Sequence, residues 1–283
     1  MGEPQVYLNG SLVPAAEARI SVFDTGLLHG ASAFTTMRAH NGRVFRLDRH
    51  LARLMETVEL LDIRAGADEK ALAAAVGRVV RANELVEARV RITLTPGGLG
   101  GCEPAVLITA EPVPQYPDEW YTKGISVIVT AFKQARGDPT YGYKTGCYLP
   151  RVLARQEAAR KHAAEALWYT TDNLLAEACF CNVFLVLAGK ACTPPRDTPV
   201  LPGVVRQAVL ELCGEMDIPA DSGTPLTVRE MLAAEEMFLT SSVAGIRPVA
   251  RVERHPVGDE KPGPITRKIM DAYARLLDRE CSK

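Results

Sequence analysis

Lys144 stands in Tyr143-Lys144-Thr145-Gly146-Cys147-Tyr148-Leu149-Pro150, a stretch that runs into a helix. Read alone, it is either a reactive amine or a solvated surface lysine. Glu177 follows the turn residues Asp172-Asn173 and precedes the apolar run Val183-Phe184-Leu185-Val186-Leu187. It is therefore either a surface acid or a carboxylate at the wall of the core. Pro202-Gly203 opens an apolar-periodic helix of Val204, Val205, Ala208, Val209 and Leu212. Pro suits a first helical turn, and a helix N-terminus offers free N–H groups and a favourable dipole to an anion, so the amides of Val204 and Val205 are anion-binding candidates. Ser241 and Ser242, after the strand-like Met237–Thr240, add hydroxyl and amide donors. In Phe34-Thr35-Thr36-Met37-Arg38, residues 34, 36 and 38 share one strand face, and Arg89 and Arg91 share another. A guanidinium pairs a carboxylate bidentately, so these faces are candidates for holding an acidic substrate; the other reading is an exposed strand face.

Other chemistries are argued against. The chain has no G-x-G-x-x-G, Walker, H-E-x-x-H or G-x-S-x-G motif, and its 5 histidines show no ligand spacing, so no metal site is expected. A net charge of -1 points to neither nucleic acid nor a membrane surface. No apolar run approaches the ~20 residues that span a bilayer. Met1-Gly2-Glu3-Pro4-Gln5 lacks the basic-then-apolar pattern of a signal peptide. The 7 cysteines include no C-x-x-C pair, which suits a reduced, cytoplasmic setting. Cys147, Cys179 and Cys181 are read as small apolar groups without a catalytic role.

The elements that must position these residues follow from periodicity. Asn9-Gly10 marks a hairpin turn, and strands are expected over 32–39 and 43–46. Leu47, Leu51, Leu54, Val58 and Leu61 recur at helical spacing, which puts Arg53 on the polar side with Arg46 and His50. A second helix covers 68–82, a strictly alternating strand 88–95, and a further strand 105–110. Three prolines in 111–124 mark a boundary. Domains are expected at 1–112 and 125–283, with 113–124 linking them and the lysine in the larger second one. There, strands near 125–132, 166–171, 183–188 and 236–240 mix with helices near 148–163, 203–215, 227–234 and 264–278. The mixture suggests an α/β or α+β fold rather than a doubly wound sheet.

Taken in order, four segments resemble the class IV aminotransferases: the one around Lys144, then 175–184, 201–206 and 238–249. That family includes branched-chain aminotransferases, D-amino-acid transaminases and 4-amino-4-deoxychorismate lyases. The likeness runs from Asn9-Gly10 to Lys261-Pro262-Gly263-Pro264. It implies a two-domain, fold-type IV α/β (α+β) enzyme, like D-amino-acid aminotransferase, that uses pyridoxal 5'-phosphate. By resemblance, Lys144 carries the cofactor as a Schiff base and shuttles a proton. Glu177 keeps the pyridine nitrogen protonated, and Leu201 packs on the ring. Tyr148 hydrogen-bonds the phenolic oxygen. Arg53, Val204, Val205, Ser241 and Ser242 hold the phosphate.

For the substrate, Phe34, Thr36, Arg38, Arg89 and Arg91 are the candidates. Phe34–Arg38 and Ala88–Arg91 are similar to some of the lyases. The 96–104 loop lacks the Arg-x-His of the D-amino-acid enzymes, and Arg89 stands where branched-chain enzymes carry an aromatic residue. The leading expectation is amino transfer between an amino acid and a 2-oxo acid. The alternative is aminodeoxychorismate lyase, and a non-catalytic cofactor-binding protein stands behind both. The family also implies a homodimer with active sites between the domains, loop 24–30 or 96–104 being lent by the partner subunit.

Overall fold

The structure, a computed structural model, describes residues 3–98 and 100–282. Met1, Gly2, Leu99 and Lys283 lie outside the described residues, so part of the leader reading and of the 96–104 loop reading does too. The fold is mixed α/β, as expected. The chain divides into two compact units. Unit 1 comprises Met1–Pro114, Tyr143–Tyr148 and Leu277–Lys283; unit 2 comprises Gln115–Gly142 and Leu149–Leu276. The lysine segment thus clusters with unit 1, whereas the sequence reading assigns it to the C-terminal part.

Unit 1 holds β1 (Gln5–Leu8), β2 (Ser11–Pro14), α1 (Thr25–His29), β3 (Ala33–His40), β4 (Arg43–Val44), α2 (Leu47–Leu60), α3 (Glu69–Ala82), β5 (Ala88–Thr95) and β6 (Ala105–Pro112). Its six strands form an antiparallel sheet in the order β2-β1-β6-β5-β3-β4. The alternation in β5 sets the layers. Ala88, Val90, Ile92 and Leu94 turn to a core shared with Met37, Leu51, Leu54, Leu72 and Val76 of β3, α2 and α3. Arg89, Arg91 and Thr93 take the other face. The register pairs Phe34 with Thr93, Thr36 with Arg91, and Arg38 with Arg89. The two polar strand faces read from sequence are therefore one face of one sheet.

The lysine segment extends this sheet. Thr145 bridges Ala33 antiparallel, Phe34 N–H donates to the Lys144 carbonyl (2.9 Å), and Gly146 N–H donates to the Ser32 carbonyl (2.7 Å). Position 146 needs glycine because a Cβ there would lie 2.2 Å from Ser32 Oγ and 2.7 Å from the Gly30 carbonyl.

Unit 2 holds α4 (Glu119–Thr122), β7 (Ile125–Gln134), α5 (Leu149–Arg160), β8 (Glu165–Thr170), β9 (Leu175–Ala178), β10 (Asn182–Leu187), β11 (Lys190–Cys192), α6 (Val204–Glu215), β12 (Ala220–Asp221), α7 (Val228–Leu232), β13 (Glu236–Ser241), β14 (Gly245–Val252), β15 (His255–Pro256) and α8 (Pro264–Cys281), whose last residues, from Leu277, cluster with unit 1. The sheet runs β12-β11-β10-β13-β14-β7-β8-β9, with β15 on β14. β7 pairs β14 and β8 in parallel, while β10 pairs β13 and β13 pairs β14 antiparallel. One core gathers Leu167, Val183, Leu185, Met237 and Leu239. A second lies under α5, where Ala154 and Ala158 meet Trp168 and Ile128. Buried Arg247 pairs with Glu165 at 3.3 Å. Among the described residues, no helix is long and apolar enough to cross a membrane.

Gly146→Ala should push the lysine segment off β3 at a cost of about 1–3 kcal/mol, the usual range for overpacking. Hydrogen exchange checks this. The Phe34 amide should exchange faster in the variant, and unchanged protection would show that the close approach is not needed.

Candidate active site

In unit 1, Lys144 Nζ donates to the Tyr148 hydroxyl at 3.0 Å. The same ammonium lies 4.6 Å from the Phe34 ring centroid, and the Phe34 and Tyr148 rings meet edge to face at 5.0 Å. Arg91 stacks its guanidinium over Phe34 at 3.7 Å and donates through Nε to Thr93 Oγ1 at 3.0 Å. Burial lowers the Arg91 pKa, against a raising influence from Tyr148 and a further lowering one from Arg89.

The three candidate arginines fare differently. Arg38 is ion-paired to Glu87 at 2.9 Å, and Arg89 to Glu111 at 3.0 Å. Arg91 has no carboxylate within salt-bridge distance among the described residues, which leaves it the arginine best able to take a new one. Thr36 sits opposite it, half-buried.

Arg53 is not on a solvated helix face. Arg46 is left-handed at the N-cap of α2 and pairs with Glu280, while His50, Arg53 and Thr57 form a buried stripe beside Leu51, Leu54 and Val58. These three recur at one-turn spacing, so they face the same way. Arg53 Nη2 donates to Thr35 Oγ1 at 3.2 Å and meets His50 Nδ1 at 3.3 Å. Burial brings the Arg53 pKa down to about 10, which leaves it charged at neutral pH. Thr57 Oγ1 donates to the Arg53 carbonyl and accepts the Lys144 backbone N–H at 3.3 Å, so α2 supports both the lysine and the buried cation.

In unit 2, Glu177 lies in β9 with 3% exposure, in a wall rather than at the surface. Its Oε1 accepts from Gln134 Nε2 at 3.1 Å and from Arg151; its Oε2 accepts from the Leu201 N–H at 3.1 Å and from Asn182 Nδ2 at 3.5 Å. Leu201 is bound from both sides, because its carbonyl accepts from Asn182 Nδ2 at 2.9 Å.

The turn into α6 is correspondingly tight. A Cβ at Gly203 would fall 1.9 Å from Asn182 Oδ1. Gly203 is the N-cap and Pro202 precedes it, so the proline lies one step outside the first turn where the sequence reading puts it. No side chain caps α6, which leaves the Val204 and Val205 N–H groups at its open N-terminus. Ser241 closes β13, its Oγ accepting from the Ala244 N–H at 3.3 Å, and Ser242 follows in the turn. Cys179 and Cys181 are buried, and burial pushes their thiols up to about 11 and about 12.

Thr35, His50, Thr57, Gln134, Arg151 and Asn182 are the site residues that sequence reasoning misses. Only the polar stripe inside the α2 pattern, and the asparagine at the head of the apolar β10, could have signalled them.

The class IV amino-transferase family matches residues 32–252 of the chain. The chain is 31% identical over 276 residues, 95% of each sequence, to a putative branched-chain-amino-acid aminotransferase of Methanocaldococcus jannaschii. It is 28% identical over 287 residues, 99% of each, to a D-alanine aminotransferase of Bacillus licheniformis. The crystal structure of the Escherichia coli branched-chain amino acid aminotransferase superposes with a TM-score of 0.92 at 26% identity, covering 100% of this chain and 97% of that one. These relatives favour amino transfer over the lyase alternative.

The His50 environment predicts a pH dependence. An imidazole titrates near ~6.5 in an unfolded chain. In the folded protein, burial and then the charges of Arg53 and Lys144 hold it well below that. The unfolded state therefore binds the proton first, so this contribution to stability is intact above the unfolded value and is lost as pH falls below it, at no more than about 1.4 kcal/mol per pH unit. Urea denaturation near neutral pH and about one unit below the unfolded imidazole value should show a loss that His50→Gln reduces. Equal losses in both proteins would remove His50 from the effect.

Proposed function

Because the chain belongs to the class IV aminotransferases, we propose that it binds pyridoxal 5'-phosphate through Lys144 and transfers an amino group from an amino acid to a 2-oxo acid. The observation that carries this reading is the Lys144 amine set against the Tyr148 hydroxyl at 3.0 Å. The donor set fits the cofactor. Unit 1 has an amine, a phenol and a buried cation in Arg53; unit 2 has a buried carboxylate and an uncapped helix N-terminus.

When bound, pyridoxal phosphate supplies an aldehyde that takes up an amino group and a ring that accepts electrons. The chain's own groups do the rest. Lys144 Nζ bears the cofactor and, in its unprotonated form, takes the proton from the α-carbon of the amino acid. Tyr148 Oη orients that amine. Glu177, fixed by its donors, keeps a proton on the ring nitrogen. Arg53, the Val204 and Val205 N–H groups, Ser241 and Ser242 hold the phosphate, and Leu201 covers the ring. Arg91 holds the substrate carboxylate beside Phe34 and Thr36. Arg38 and Arg89, engaged by Glu87 and Glu111, support that face instead of binding substrate themselves.

We extend the reading to a homodimer. Val22, Phe23, Leu27 and Leu28, in and beside α1, are 66%, 64%, 65% and 55% exposed, an apolar run that a partner subunit would cover. A cytoplasmic setting suits the seven free cysteines.

Lys144→Ala should lose the visible absorbance of the bound cofactor and its trapping by borohydride. Cofactor trapped on another lysine, such as Lys133, would overturn the assignment. Arg91→Ala should raise KM for both the amino acid and the 2-oxo acid by roughly 30-fold, the worth of one desolvated charge-assisted hydrogen bond. Steady-state kinetics with each partner varied in turn checks this, and a KM raised for one partner alone would mean that Arg91 does not hold the carboxylate common to both.

A further inference from the structure

We propose that His50 is a positioning residue: its Nδ1 lone pair ends a hydrogen-bond chain that fixes the Arg53 guanidinium for an anionic group. The proposal rests on the reading above that Arg53 holds the cofactor phosphate. The geometry sets the direction of the chain. Arg53 Nη2 lies 3.2 Å from Thr35 Oγ1 and 3.3 Å from His50 Nδ1, and Thr35 Oγ1 lies 3.0 Å from the same Nδ1. A guanidinium only donates, so Thr35 Oγ1 accepts from it and passes its own proton toward Nδ1. Nδ1 is then the acceptor, its one lone pair shared between the closer Thr35 hydroxyl and the more distant Arg53 Nη2, and the ring's single proton sits on Nε2.

The packing explains why this matters. His50 and Thr35 are 1% and 0% exposed. They come from α2 and β3 and clamp one guanidinium nitrogen from two elements, so its orientation is set before any ligand arrives. The imidazole also leaves Nε2 buried without a hydrogen-bond partner among the described residues. An apolar side chain at position 50 would avoid that orphan, so the ring is retained for its other nitrogen. A protonated ring would lose the accepting lone pair and set a second cation against Arg53.

The test separates the phosphate from the rest of the cofactor. Full-length protein is titrated with pyridoxal 5'-phosphate and, in parallel, with pyridoxal, which has no phosphate. His50→Leu should raise the Kd for pyridoxal phosphate about ten-fold and that for pyridoxal less than about two-fold. His50→Asn, whose Oδ1 can stand in for Nδ1, should recover most of the loss. Arg53→Leu is the reference and should be selective for the phosphate form. In the wild-type protein, imidazole nitrogen NMR shifts should report a neutral ring protonated at Nε2. If His50→Leu weakens both ligands equally or neither, while Arg53→Leu stays selective, the positioning role is overturned. If Arg53→Leu is itself unselective, the phosphate reading falls and this proposal with it. Should His50→Leu fail to fold, the wild-type tautomer and His50→Asn decide: a ring protonated at Nδ1, or an Asn variant with a selective ten-fold loss, overturns the proposal.

Discussion

Two backbone hydrogen bonds, from Phe34 N–H to the Lys144 carbonyl and from Gly146 N–H to the Ser32 carbonyl, tie the lysine's segment to the start of β3. They hold a loop lysine against the start of β3, beside an isolated bridge between Thr145 and Ala33. The Thr57 hydroxyl adds a third tether from α2. Once the backbone is fixed, the side chain has few choices. It runs past the Phe34 ring to the Tyr148 hydroxyl, and Phe34 is itself set by its register opposite Thr93.

The same sheet sorts its cations by their company. Arg38 and Arg89 lie across from one another and carry their own carboxylates, which leaves their positive charge largely answered. Arg91, one alternation further along β5, rests on an aromatic ring and a threonine hydroxyl. An aromatic face attracts a guanidinium without neutralising it, so its capacity for an anion is kept. Glu87 and Glu111 therefore divide one arginine-rich strand face into an ion-paired end and an end that rests on a ring and a hydroxyl.

How legible this was depended on distance along the chain. β5 and α2 could be read because their own periodicity carries the signal: Val90, Ile92 and Leu94 alternate with polar residues, and Leu51, Leu54 and Val58 recur at helical spacing. β14 could not, because Pro248 interrupts it and buried Arg247 looks like a surface residue until Glu165 is brought to it. β9, only four residues long, is too short to show a period, so Glu177 stood between a surface acid and the wall of the core. Lys144 and Glu177 were named because ordered motifs single them out. Of the residues that hold Glu177, Leu201 was named for the ring but not for this bond, and Gln134 and Arg151 were missed, since they lie 43 and 26 positions away and nothing local links them.

The crowding around Glu177 has a chemical consequence. A carboxylate offers about four lone-pair directions, and here Gln134, Arg151 and the Leu201 N–H engage it closely while Asn182 makes a longer contact at 3.5 Å. Any newcomer must therefore compete for a place, and the Asn182 contact is the easiest to yield. Only a group with a proton to offer gains by that exchange. A heterocyclic nitrogen arriving as a bare lone pair would meet a filled anion and be repelled, whereas the same nitrogen carrying hydrogen would be welcomed. A carboxylate held in this way would sort its partners by protonation state, because it can only accept.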